Sequence, residues 1–241
     1  MVVGVKKELI PERPQIEVAS LPPGSWCMQF QFTLERPIVT KDEIRLDMTE
    51  NPVRRERATG IPCFVASSWK GSLRSAFRAT SGNGDSVQRD FHSLFGSAER
   101  VLDSETKEPR RGRLQFFSTY FDMAGVYLTQ ALNRKTKTGD NPVNYEVVPE
   151  GAKGWFTLLY CTHADGILNP AGIEEESGRH ARMMASTVAV MFRQTGFGGK
   201  KSSGFGMAAD LIDDGVFLER DKSARFTHLT HLDAWQFKVS Q

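Results

Sequence analysis

The chain has 241 residues and a formal net charge of +2, with an ordinary balance of apolar and charged residues. This length suits one sizeable domain with its own core, and it is too short for two comfortable ones. Because the charge is nearly balanced, a surface that is basic all over is excluded, and any surface that binds an anionic polymer has to be local.

Cysteine usage and hydropathy indicate a cytoplasmic protein. The three cysteines, Cys27, Cys63 and Cys161, are odd in number and far apart, which favours buried thiols over a disulfide framework or a zinc site. The N-terminus has no apolar stretch of the signal-peptide type, and no window approaches the roughly 18 apolar residues of a membrane span. We therefore expect a soluble, cytoplasmic protein with no membrane partner.

Composition divides the chain into an arm, a domain and a tail. Residues 1–24 hold four prolines among charges, which predicts an extended arm. A domain is predicted over residues 25–214 and a C-terminal tail over residues 215–241. The domain begins with a strand that has one buried face, because its apolar residues recur with a period of two. These residues are Trp26, Met28, Phe30, Phe32 and Leu34.

The predicted strand leads into a charged segment and then into a helix. Residues 36–61 carry many charges without a clean period, which is typical of a long functional loop. Ser67 and Ser68 are suitable N-caps for the helix that follows. Its apolar face is expected to hold Trp69, Leu73 and Phe77, and its basic face Lys70, Arg74 and Arg78.

The remaining patterns predict an α+β protein. They indicate helices over residues 87–95 and 174–194, and strands over residues 114–121, 125–132, 155–161 and 205–212, with a polar, basic turn at residues 133–144. The order strand, helix, strands, helix, strand is that of a ferredoxin-like (RRM-like) sandwich with large insertions, one of them a thumb-like hairpin over about residues 124–153.

A glycine-rich loop follows the long predicted helix. Residues 195–207, TGFGGKKSSGFGM, combine five glycines with Lys200, Lys201 and Ser202. Glycine lets backbone amides approach a ligand closely and lysine adds positive charge, so the loop suits an anionic ligand. It is not a Walker A loop, because the glycines lack that spacing and close a helix rather than open one.

Five pieces of sequence, in order, resemble the RAMP superfamily of CRISPR-associated proteins. They are residues 60–62 (GIP), 67–74 (SSWKGSLR), 94–97 (LFGS) and 111–114 (RGRL), and the glycine-rich loop. Residues 133–136 (NRKT) and 146–151 (EVVPEG) are further similar to the stretch that forms a thumb in the backbone RNA-binding subunits of type III effector complexes. The resemblance covers roughly residues 29–209.

The resemblance implies an RNA-binding subunit that holds crRNA and paired target RNA in antiviral defence. Its partners would be the crRNA, the target RNA and other effector subunits, including neighbouring RAMP proteins. The residue chemistry agrees, because a helix start with hydroxyls and a cation and a glycine loop with lysines each suit a phosphate. The residues expected to bind RNA are Arg54, Arg55, Ser67, Ser68, Lys70, Arg74, Arg134, Lys135, Lys137, Gly198, Gly199, Lys200, Lys201 and Ser202.

Whether the chain cuts RNA stays open from sequence. In catalytic subunits of the family, an aspartate in the loop after the first strand supports metal-dependent attack of a ribose 2′-hydroxyl on its own phosphate. The family pattern has this aspartate just before a small residue, proline and valine, whereas this chain has Glu50 there. Glu50 and the nearby Asp47 are the candidate catalytic residues. A divalent metal, Mg or Mn, is expected only if RNA is cleaved, and no permanently bound cofactor is expected.

Simpler interpretations of these residues also stay open. The lysines and arginines would then be ordinary solvated charges, and the glycines of the loop would serve only tight turns. Trp69 is expected in the core because it shares the apolar face of its helix. His228 and His231 lack a third ligand at zinc spacing, so no metal site is expected there. The aromatic signature by which RNA-recognition motifs stack bases is absent. A remote alternative is a small-nucleotide phosphate-binding enzyme with a closed pocket at the glycine-rich loop.

Overall fold

The strand with the clearest period-two pattern lies at the centre of a six-stranded antiparallel sheet. The computed structural model describes residues 2–40, 51–82, 84–97, 111–132, 139–162, 170–220, 222–235 and 238–240. The strands are β1 (Val2–Gly4), β2 (Trp26–Thr33), β3 (Cys63–Phe64), β4 (Leu114–Phe116), β5 (Thr119–Tyr120), β6 (Met123–Leu132), β7 (Gly139–Val147), β8 (Lys153–Tyr160), β9 (Leu211–Glu219), β10 (Ser223–His228) and β11 (Lys238–Ser240). The helices are α1 (Ala66–Thr80), α2 (Asp85–Phe95), α3 (Pro170–Val190) and α4 (Leu229–Asp233).

The central sheet has the strand order β11-β10-β9-β2-β8-β4. All its neighbouring strands are antiparallel. Four neighbouring strands of this sheet, β9-β2-β8-β4, have α1 between β2 and β4 in the chain and α3 between β8 and β9. This is the arrangement of a ferredoxin-like unit, so the predicted α+β fold is confirmed. Strands β10 and β11 extend the sheet at one edge.

Aromatic packing fixes α1 on the inner face of the sheet. The indole of Trp69 is 1% exposed and contacts Phe32 edge-on, with ring centroids 6.0 Å apart. Its Nε1 donates to Thr119 Oγ1 at 3.0 Å, so the one polar atom of the side chain is satisfied. Trp69 is therefore a core residue, as its place on the apolar helical face predicted.

The N-terminal arm covers the outer face of the same sheet. Val18 packs with Cys27 and Leu159, and Gln29 Nε2 donates to the Pro14 carbonyl at 2.8 Å. Burial raises the pKa of the Cys27 thiol to about 12, so this thiol is protonated and unreactive at neutral pH. Strand β2 is thus buried on both faces over its first half, where the sequence pattern predicted one buried face.

Residues after 214 continue the central sheet. The last strand of the predicted unit was expected over residues 205–212, but β9 begins at Leu211 and runs through the predicted domain boundary to Glu219. The displacement follows from packing, because β9 pairs with β2 at Met28 opposite Phe217, and Phe217 is buried there. The segment predicted as a tail contributes β10, α4 and β11.

A second sheet carries the predicted hairpin. Strands β6 and β7 pair with Gly125 opposite Val147, and β1 pairs along the other side of β6. The hairpin-like excursion is therefore confirmed for the residues that the structure describes. Residues 139–144 were predicted as part of the turn, and this is wrong, because they belong to β7 and pair with β6. Residues 133–138 of the predicted turn lie outside the described residues.

A buried polar chain joins α2, α3 and β8. Tyr160 Oη lies 3.0 Å from His180 Nδ1, and His180 Nε2 lies 3.3 Å from Asp90 Oδ1. Arg179 pairs with the second oxygen of Asp90. The His180 side chain is fully buried, and this burial lowers its pKa below the usual 6.5, although the hydrogen bond to Asp90 acts in the opposite direction.

The glycine-rich loop folds tightly on itself and on the segment after β2. The Phe197 N–H donates to the Gly206 carbonyl at 3.0 Å, and the Gly206 N–H donates to the Pro37 carbonyl at 2.9 Å. A Cβ added to Gly206 would lie 1.8 Å from the Phe197 carbonyl oxygen, and its φ is +74°. Only glycine fits there, whereas Gly204, with φ +80°, faces open space.

The two glycines give a matched pair of substitutions. In Gly204→Ala the added Cβ has open space, so the only cost is that of an alanine in the left-handed backbone conformation. This should lower the free energy of unfolding by about 1 to 2 kcal/mol. Gly206→Ala adds a clash with backbone, which cannot move aside cheaply, so its loss should be larger by about 1 to 3 kcal/mol. Urea unfolding of both variants measures the difference. Equal losses would contradict this account of the loop.

The depressed pKa of His180 predicts a pH-dependent stability. Folding keeps the imidazole neutral, whereas the unfolded chain takes up a proton at low pH. The contribution of His180 to the free energy of unfolding is therefore full above the unfolded pKa of about 6.5, and it is lost as the pH falls below that value. The limiting slope for one such group is about 1.4 kcal/mol per pH unit. Urea unfolding from about pH 7.5 down to about pH 5.5 should show a smaller loss for His180→Gln than for the parent. Parallel pH profiles would refute the role of His180.

Candidate functional site

The first turn of α1 is built differently from the sequence prediction. The helix begins at Ala66, with Val65 as N-cap, and no side chain caps it, so the prediction of serine N-caps is wrong. Ser67 and Ser68 lie inside the first turn instead. The Ala66 N–H donates to Ser118 Oγ at 3.3 Å and the Ser68 N–H donates to the Val65 carbonyl at 2.9 Å. These amides have partners already, so the helix start offers a ligand its hydroxyls more than its N–H groups.

The glycine-rich loop sends its two lysines in different directions. Lys200 has a left-handed backbone, with φ 56°, and its Nζ lies 3.7 Å from the centre of the Tyr145 ring on β7. Lys201 begins a short 3₁₀ turn, and its Nζ lies 3.4 Å from Ser75 Oγ on α1. Lys200 therefore contacts the hairpin through a cation–π interaction, while Lys201 links the loop to α1.

Backbone contacts hold the loop beside the segment after β2. The Gly199 N–H donates to the Val39 carbonyl at 2.8 Å, and a Cβ on Gly198 would lie 2.7 Å from Ile38. The Gly199 amide is thus not free for an anion, and Gly198 is required for close packing. At these two positions glycine serves the fold, which was one of the alternatives that the sequence left open.

One cleft joins the loop, α1 and the segment before α1. It has a volume of about 350 Å³. Its floor and walls include Thr40, Phe64, Gly71 and Ser72, which sequence reasoning did not single out as site residues. Five residues predicted to bind RNA line it, from three separate stretches of the chain: Arg54, Ser68, Gly198, Gly199 and Lys201.

Only some of these additional cleft residues are indicated by the sequence. Gly71 and Ser72 belong to the SSWKGSLR stretch, so attention to its small residues would have found them. Thr40 has no local signal, since its hydroxyl enters the site only because it accepts the Arg54 N–H at 2.7 Å. Gly71 is exposed, and a Cβ there would meet nothing within 4 Å.

Three cations on α1 and in the glycine-rich loop lack carboxylate partners among the described residues. Lys70 and Arg74 are half-buried on the side of α1, and the pKa of Lys70 is lowered by burial and then by the neighbouring charge of Arg74. Across the described part of the chain, neither side chain forms an ion pair with a carboxylate, and the same holds for Lys201. Ser67 and Ser202 are exposed. An anion arriving here would relieve charge repulsion.

Arg55 differs from these cations because it is already paired. It forms a charged pair with Glu146 on β7, and its Nη1 donates to the Gly60 carbonyl at 3.0 Å. Glu146 also accepts the Val53 N–H at 3.0 Å. These contacts join the hairpin to the segment before α1, so the charge of Arg55 is compensated inside the protein.

Several predicted site residues lie outside the described part of the chain. These are Asp47, Glu50, Arg134, Lys135 and Lys137. Among the described residues, no group of three histidine, cysteine, aspartate or glutamate side chains is placed to hold a metal ion. No helix in this part of the chain combines the length and the apolarity needed to cross a membrane.

Comparison with known proteins assigns the family. No curated protein matches the chain. Its fold is similar to that of a chain in a cryo-EM structure of type III-B Cmr-beta bound to cognate target RNA, with a TM-score of 0.55 and 15% identity over 81% of this chain and 61% of that chain. This chain therefore spans less than two thirds of the matched one. The sequence profile of the RAMP superfamily matches residues 31–208, from β2 through the glycine-rich loop. The chain belongs to the RAMP superfamily.

Proposed function

We propose that this protein is an RNA-binding subunit of a type III CRISPR effector complex, where it holds the crRNA backbone and the paired target RNA. The observation that carries the proposal is the cleft of about 350 Å³ in which Arg54, Ser68 and Lys201 meet. These residues come from three distant stretches, and each contributes a group that suits phosphate: guanidinium, hydroxyl and ammonium.

The character of the cleft supports a nucleic-acid backbone over a small nucleotide. Its cations are unpaired in the described residues, and it opens to solvent past the exposed Gly71. An open basic groove with few base-reading groups holds a strand without regard to its sequence, which leaves recognition to base pairing. A small-nucleotide enzyme would instead need a closed pocket.

The hairpin suits the thumb-like role that the proposal gives it. Val126 and Leu128 on β6 are 50% and 60% exposed, so the hairpin presents apolar side chains to solvent. It is fixed relative to the cleft by the contacts of Tyr145 with Lys200 and of Glu146 with Arg55. Exposed apolar side chains on a firmly held projection suit insertion between the nucleotides of a guide–target duplex.

Endoribonuclease activity is the second candidate function. Asp47 and Glu50 lie in the ten residues that follow Thr40 in the sequence, and Thr40 lines the cleft. In the proposed reaction one of these carboxylates would bind Mg²⁺ or Mn²⁺ or align a ribose 2′-hydroxyl of the bound RNA. Cleavage would then use the same bound strand as guide holding.

Lys201→Ala tests the cleft. The full-length chain is titrated with fluorescently labelled single-stranded RNA at several salt concentrations. Loss of one charged contact should weaken binding about tenfold. It should also reduce the slope of log K against log salt by about 0.7. Lys222→Ala, an exposed lysine between β9 and β10, is the matched control and should change neither value. If the two variants behave alike, the cleft is not the RNA site.

Asp47→Ala and Glu50→Ala test the nuclease hypothesis. RNA paired to the guide is incubated with the assembled complex in the presence of Mg²⁺ or Mn²⁺ and followed on a denaturing gel. Removal of the catalytic carboxylate should slow cleavage on the order of 100-fold or more while guide content stays unchanged. If both variants cut at the parental rate, the active site lies elsewhere or in another subunit.

A further inference from the structure

Two arginines of α1 are stacked on one aromatic ring of α2. The guanidinium carbon of Arg78 lies 4.6 Å from the centre of the Phe91 ring, and that of Arg74 lies 5.2 Å from it. Phe91 itself is 5% exposed, so the guanidinium groups form the surface above it. The ring holds both planar groups in place through cation–π contacts.

Arg74 and Arg78 continue a row of cations that begins at Lys70. The three residues follow one another at intervals of four, so consecutive Cβ atoms are about 5 to 6 Å apart. Helix α1 contains no acidic residue, and in the described part of the chain none of the three is paired with a carboxylate. Asp90, the nearest acid along the chain to Phe91, is occupied by Arg179 and His180.

The row is continuous with the proposed RNA cleft. Ser68, Gly71 and Ser72 of the same helix line the cleft, and Lys201 reaches Ser75 one turn before its far end. On the exposed side of the helix, Ser67 and Gly71 lie between the cleft residues and the row, and both are small. A strand that leaves the cleft across this side of α1 would therefore meet Arg74 and Arg78.

The regular spacing of Lys70, Arg74 and Arg78 distinguishes this row from randomly placed surface charges. Like charges placed one helical turn apart destabilise a helix. A ligand with repeated anionic groups would offset this repulsion at every step, whereas a single phosphate would reach one or two cations. Prior stacking on Phe91 also reduces the side-chain entropy lost when a ligand binds. These points favour a polyphosphodiester over a small anion or an acidic side chain.

We propose that Arg74, Phe91 and Arg78 form an extension of the RNA site, in which two stacked guanidinium groups bind consecutive phosphodiesters of the strand that leaves the cleft. The inference rests on the proposed RNA-binding function. It adds Arg78 and the Phe91 ring to the site. The number of nucleotides bound would then depend on the row of cations along α1.

A simpler role for Arg78 is structural, and the two roles have different consequences. Arg78 lies in the last turn of α1, where a cation interacts favourably with the helix dipole, and its stem covers Phe91. Arg78→Gln keeps much of the stem and removes the charge, while Arg78→Lys keeps the charge and loses the planar stack. Arg220→Gln, at an exposed position between β9 and β10, is the control for loss of one charge.

The experiment measures binding of labelled oligouridine RNAs of about 6 and about 14 nucleotides to the full-length chain over a range of salt. We expect Arg78→Gln to reduce the salt slope for the longer RNA by about 0.7 and to leave the shorter RNA unaffected. Arg78→Lys should keep the parental slope with weaker binding, and Arg220→Gln should match the parent with both probes.

Two results would overturn the extension and separate it from the proposed function. If the parent binds both RNAs and Arg78→Gln keeps its slope, the stack serves stability or a protein partner, and a lower unfolding temperature of that variant would identify the structural role. If the parent binds neither RNA, the proposed function fails together with the extension.

Discussion

The candidate site depends on the burial of one side chain, Trp69. Its ring lies 4.6 Å from that of Phe64, 4.7 Å from Phe197 and 5.5 Å from Phe192, measured between centroids. Phe64 belongs to the strand before α1, Phe197 to the glycine-rich loop and Phe192 to the turn that ends α3. One buried indole therefore holds three separate parts of the chain together. The cleft lies where these parts meet, and its position is set by packing of the core.

The cations of the same region oppose folding. Three cations have no carboxylate partners in the described residues: Lys201 in the cleft, and Lys70 and Arg74 on α1. Their mutual repulsion opposes folding, and the aromatic core offsets it. Sites of this kind are common where a fold is built for a charged ligand, since unpaired charge that weakens the free protein strengthens the complex.

Much of the fold followed from local patterns. The period-two pattern of β2, the apolar face of α1 and the hairpin were predicted because each depends on residues that are neighbours in sequence. The predictions of the α1 N-cap and of the position of β9 were wrong for the same reason, which is a contact with a distant segment. Val65 replaces a serine cap because Ser118 from a distant segment takes the Ala66 N–H, and β9 shifts because its pairing with β2 buries Phe217. Neither contact has a signal in its own segment.

The sequence by itself determined the chemistry: a serine-rich helix start, a row of cations on α1 and a glycine loop with two lysines, in an order that resembles one family. Only the tertiary structure decided which of these groups work together. It brought Lys201 and Ser68 to one cleft, turned Lys200 to Tyr145 and paired Arg55 with Glu146. The physical reason is that residue type fixes what a side chain can bind. The neighbours of that side chain, and so whether its charge is already paired within the protein, are fixed by contacts between segments far apart in the chain.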